Sequence, residues 1–77
     1  MDKQKYFYYV GIENDHGMTL VTEVEWPSKT CYWNEDKKPL AMTEKQADDL
    51  VFGLTLNMTP AVVVKSRFEL NGHFLAK

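Results

Sequence analysis

At 77 residues the chain holds one domain, and at this size only about 60–65% of the unfolded surface can be buried. The single cysteine, Cys31, excludes an internal disulfide framework and a cysteine-rich zinc site, so stability must come from core packing or from a partner. A formal charge of −2 with both signs interspersed excludes a strong polyanion-seeking field, and no apolar run approaches the roughly 20 residues of a membrane span.

The N-terminus, MDKQKYFYYV, lacks a signal peptide's long apolar stretch and small-residue cleavage site, so a cytoplasmic location is the expectation. The glycosylation sequon Asn57-Met58-Thr59 would then go unused. The first predicted strand, Lys5–Ile12, is apolar or aromatic on nearly every residue. Its even face carries Tyr6, Tyr8, Val10 and Ile12, and its odd face carries Phe7, Tyr9 and Gly11. A polar turn follows over Glu13–Gly17, ending in a glycine that tolerates the positive φ of hairpin loops.

The second strand, Met18–Trp26, alternates with a period of two. Met18, Leu20, Val24 and Trp26, with Thr22, form one face; Thr19, Glu23 and Glu25, with Val21, form the other. Pro27-Ser28 stops it, and a short third strand over Lys29–Asn34 holds Cys31, Tyr32 and Trp33. Residues 34–39 make a charged loop.

Thr43-Glu44-Lys45-Gln46 is a capping box, with Met42 and Ala47 as a weak hydrophobic staple. Ala47, Leu50, Val51, Leu54 and Met58 then form one helical stripe, with Glu44, Asp48 and Asp49 early, where the helix dipole favours them. Gly53 predicts a close strand backbone; Asn57 and Pro60 end the helix. A fourth strand runs over Ala61–Leu70, Asn71-Gly72 predicts a type I′ hairpin, and His73–Ala76 would pair back. The expected fold is α+β, order βββαβ with a fifth strand: an antiparallel sheet of four or five strands, one helix packed on one face, a single domain over 1–77.

A helix about 21 Å long covers roughly half of one face of such a sheet. Phe7, Tyr9, Val21 and Val63, with Tyr32 or Trp33, are therefore expected on the uncovered face as an apolar interface. A homodimer is the commonest occupant of such a face, and another protein is the alternative. A self-covered monomer is the competing outcome. A second reading has Lys3, Lys5, Tyr8 or Tyr9, Lys29, Trp33, Lys65 and Arg67 binding single-stranded nucleic acid by stacking and phosphate contacts. The negative net charge and acidic helix count against it.

No enzyme, cofactor or metal is expected. His16 and His73 lack ligand spacing, and Cys31 has no base beside it. Glu23 and Glu25, about 7 Å apart along a strand, read as a solvated face. The four glycines are isolated, so none forms a phosphate loop. The segment TEKQADDLVFGLTLNMTPAVVV (residues 43–64) resembles helix-to-strand segments of short proteins from Gram-positive bacteria and their phages. The resemblance implies an accessory role that binds a host or phage protein, and it carries over no site residue.

Overall fold

A computed structural model describes residues 5–76 of the chain. Its elements are β1 (Phe7–Asn14), β2 (Gly17–Leu20), β3 (Glu23–Glu25), β4 (Thr30–Tyr32), α1 (Glu44–Leu56), β5 (Ala61–Ser66) and β6 (Phe74–Ala76). An antiparallel four-stranded sheet in the order β5-β1-β2-β6 carries α1, and β3 and β4 form a separate two-stranded ribbon. The fold is thus α+β with one helix on an antiparallel sheet.

The capping box starts the helix as its residues dictate. The Gln46 N–H donates to Thr43 Oγ1, and the Thr43 N–H donates to Gln46 Oε1, each at 3.1 Å. Asn57 caps the other end, and Met58 takes a left-handed φ of 61°. Met58 N–H then reaches the Thr55 carbonyl (3.0 Å) and Thr59 N–H the Leu54 carbonyl (2.9 Å), the paired bonds of a Schellman ending. Met58, read as the last member of the buried stripe, lies beyond the helix and is almost wholly exposed.

Ala47 and Leu50 of α1 pack with Val10 and Val21, and Tyr8, Ile12, Val24, Cys31, Val51, Leu54, Ala61 and Val63 close around them. Gly53 does not admit a strand. A Cβ there would meet only the Lys29 side chain, at 3.6 Å.

Three expectations about the strands are corrected. Met18–Trp26 is not one strand, because the chain turns at Val21-Thr22. Buried Thr22 donates its N–H to the Tyr32 carbonyl (3.1 Å), while its Oγ1 accepts from the Asn34 N–H (2.9 Å). This break shifts the alternation, so Val21 and Val24 both reach the helix-side core while Leu20, paired with Gly11, faces away from it.

The strand predicted to reach Leu70 ends at Ser66, whose hydroxyl donates to the Phe68 carbonyl (2.6 Å) and accepts from the Phe68 N–H (3.1 Å). Asn71-Gly72 forms no hairpin between β5 and β6. β6 pairs with β2 on the opposite edge of the sheet.

Residues 67–73 must therefore cross three strand spacings, about 14 Å. They cross the face that α1 leaves open. There the Leu70 N–H donates to Tyr9 Oη at 2.8 Å, and Tyr9 and Leu20 are fully buried. The open apolar face expected from the sequence is roofed by the chain itself.

Candidate functional site

The ribbon takes its two faces from alternation. In the register Glu23↔Tyr32, Val24↔Cys31, Glu25↔Thr30, the middle pair packs on the core. Glu23, Glu25, Thr30 and Tyr32 then point outward. Its hairpin is tight: the Lys29 N–H donates to the Glu25 carbonyl (2.8 Å), with Lys29 at a φ of 62°. Lys29 Nζ reaches Asp49 Oδ1 of α1 at 3.0 Å, which ties the ribbon to the helix.

The turn after β4 is equally fixed. Asn34 Oδ1 accepts from the Asp36 N–H (2.9 Å), and the Asn34 carbonyl accepts from the Lys37 N–H (3.0 Å). Lys37 Nζ bonds Glu23 Oε1 at 2.7 Å, and the His73 ring hydrogen-bonds the Lys37 carbonyl through Nε2. The Trp33 and His73 rings pack T-shaped, at 83° with centroids 6.1 Å apart. Ribbon and turn together border a shallow, open groove of about 670 Å³. The ribbon supplies Glu23, Glu25 and Tyr32, and the turn supplies Trp33, Asn34, Glu35 and Asp36.

Trp33 is 52% exposed and Tyr32 45%, although both are large aromatics. Of the four carboxylates, Glu23 alone is ion-paired among the described residues. Three uncompensated negative charges thus line one groove of a chain whose whole formal charge is −2. At an exposed site each is screened by solvent, but together they set the sign of the local field.

Of the expected interface, Tyr32 and Trp33 do come together and are exposed. The others do not join them. Tyr9 and Val21 are buried, and Val63 packs on the helix-side core. Phe7 is half-buried and borders a second groove, of about 540 Å³, that shares no residue with the first. The break at Thr22 turns Val21 inward, the β1–β5 register sets Val63 opposite Val10 on the helix side, and the crossing of residues 67–73 covers Tyr9.

The nucleic-acid set is likewise dispersed. Lys5 and Tyr8 border the second groove, where Tyr8 packs against the core, and Lys65 Nζ lies 4.1 Å from the centre of the Tyr6 ring. Lys29 is paired with Asp49, Arg67 is exposed on the crossing segment, and Trp33 stands among carboxylates. Lys3 lies outside the described residues.

Burial pushes the Cys31 thiol above its ordinary pKa, and Sγ donates to the Lys29 carbonyl at 3.7 Å. It is a packed, protonated thiol at neutral pH. Among the described residues no three His, Cys, Asp or Glu side chains converge on a metal position, and His16 sits exposed in the β1–β2 turn.

The sequence reading missed Glu35, Asp36 and Asn34 as partners of the aromatics. The available signal was Pro27-Ser28: a turn there places Glu23 and Glu25 on the same ribbon face as Tyr32. No family model, curated protein or solved structure matches the chain. No helix among the described residues is long and apolar enough to cross a membrane.

Proposed function

We propose that this chain is a small non-enzymatic interaction module, acting in the cytoplasm, that binds another protein through the groove at Tyr32 and Trp33. One observation carries the reading. Of the exposed aromatics Trp26, Tyr32, Trp33, Phe52, Phe68 and Phe74, Tyr32 and Trp33 line one groove together, on a hydrogen-bonded frame. Aromatics in a concave, ordered setting are the residue types that dominate binding energy at interfaces. Pairing of two copies through the face that carries Tyr9 would have to displace residues 67–73, so of the two expected partners, a second copy or another protein, this reading takes the second. The phage-accessory role implied by residues 43–64 is of this kind.

A photo-reactive residue in place of Trp33, in cells that make the protein, tests the reading. A discrete cross-linked adduct is expected from position 33 and not from position 13, where Glu13 is exposed at the end of β1. Equal adducts from both positions, or none from position 33, would overturn it.

A further inference from the structure

Resting on that reading, we infer that the groove receives a cationic segment of the partner, an arginine side chain lying against Trp33 and Tyr32 with its guanidinium toward Glu25, Glu35 and Asp36. The groove holds four carboxylates and one lysine contact, so an anionic or phosphate-bearing ligand meets net repulsion. A cation meets three acceptors that no described cation occupies.

Shape narrows the cation. Both groove aromatics are exposed, and an aromatic face attracts a cation electrostatically. A guanidinium is planar and weakly hydrated, and it stacks on an aromatic face while its edge donates to carboxylates. An ammonium is a compact, strongly hydrated point charge, which fits an open groove less well. A bare metal ion needs converging ligands, and none converge here among the described residues.

The frame is set before any ligand arrives. Asn34 N–H is held by Thr22, Asp36 N–H by the Asn34 side chain, and the Trp33 ring packs T-shaped with His73. Less ordering entropy is therefore lost on binding. The outward carboxylates of β3 come from the same alternation that turns Val24 toward the core.

The test is a titration of the isotope-labelled full chain with an end-blocked hexa-arginine peptide, followed through the indole N–H resonances. Trp33 is expected to shift more than Trp26, which does not line the groove. Affinity should fall about tenfold as salt rises from about 20 to about 200 mM. It should also fall about tenfold in the triple variant Glu25→Gln, Glu35→Gln, Asp36→Asn, and severalfold when hexalysine replaces hexa-arginine.

These three carboxylates are exposed, and unchanged β1 and β5 amide resonances in the variant establish that it is folded. No shift at Trp33, equal binding by the triple variant, or equal binding of hexaglutamate overturns the inference. Tighter binding of an uncharged peptide overturns it while leaving the interaction module standing. Binding of single-stranded oligonucleotide at Trp33 removes both. Arginine binding with no cross-link from position 33 in cells removes the module and keeps the groove's chemistry.

Discussion

Tyr9 belongs to two structures at once. Its ring fills the layer that α1 does not reach, and its hydroxyl anchors the backbone of Leu70, 61 residues later. Tyr9→Phe keeps the ring and leaves the half-buried Leu70 N–H without its acceptor. The cost should be about 1–2 kcal/mol in urea unfolding, with amide exchange accelerated at Leu70 before β1 or β5. Cys31 gives a different residue-scale test. Burial keeps its thiol protonated in the folded chain to higher pH than in the unfolded chain. The unfolded chain therefore releases its proton first, above the ordinary thiol pKa of about 8.5. The contribution of Cys31 is complete below that pH and declines as pH rises through the folded pKa. Cys31→Ala should lie below wild type at neutral pH and show a flatter decline above about pH 8.5, measured by denaturant midpoints across the range. A parallel decline in both proteins would mean that Cys31 is not the titrating group.

At the scale of elements, legibility followed the range of the bonds. The start of α1 was readable because Thr43 and Gln46 satisfy each other's N–H groups within four residues. The end of β2 was not, because Thr22 is held by Tyr32 and Asn34, ten and twelve residues away. Alternation alone kept Val21 and Val24 on opposite faces, and only the tertiary turn puts both on the core. β5 shows a nearer failure: Val62 and Val64 continued the pattern convincingly, but the Ser66 hydroxyl takes over backbone bonding at Phe68. The groove was half legible for the same reason. Tyr32 and Trp33 were visible as exposed aromatics, while their acidic neighbours depend on the ribbon's register. The helix also carries two correctable weaknesses. Gly53 has ordinary space for a methyl group, and Met58 occupies the left-handed position that favours glycine. Gly53→Ala should stabilise by about 0.5–1 kcal/mol, and Met58→Gly by up to about 1 kcal/mol. Thermal melts of the two singles and the double would check both; a destabilised Gly53→Ala would mean the Lys29 stem cannot yield.

At the scale of the whole molecule, one helix cannot cover both sides of a four-stranded sheet, and the chain answers with residues 67–73. Reading Asn71-Gly72 as a hairpin kept the last strand beside β5 and left nothing to cover Tyr9. Docking β6 on the far edge of β2 instead draws residues 67–73 across that face. Val62 and Val64 share the face by register with Gly11 and Tyr9, and all of it stays out of bulk water only while the segment is seated. Leu70 is half-buried at the point where the segment meets Tyr9. Leu70→Asp would place a carboxylate there, which must lose hydration or lift the segment away. Lifting removes the roof and uncovers Tyr9 and Leu20, an apolar patch of the kind that drives association. Wild type should scatter light as a monomer and leave a hydrophobic dye dark. Leu70→Asp should lose about 2–3 kcal/mol, brighten the dye and gain mass with concentration. Glu69→Asp, at an exposed neighbour on the same segment, should do none of these. If Leu70→Asp stays monomeric and dark, residues 67–73 are not what shields the second face, and the sheet would again be open to a partner.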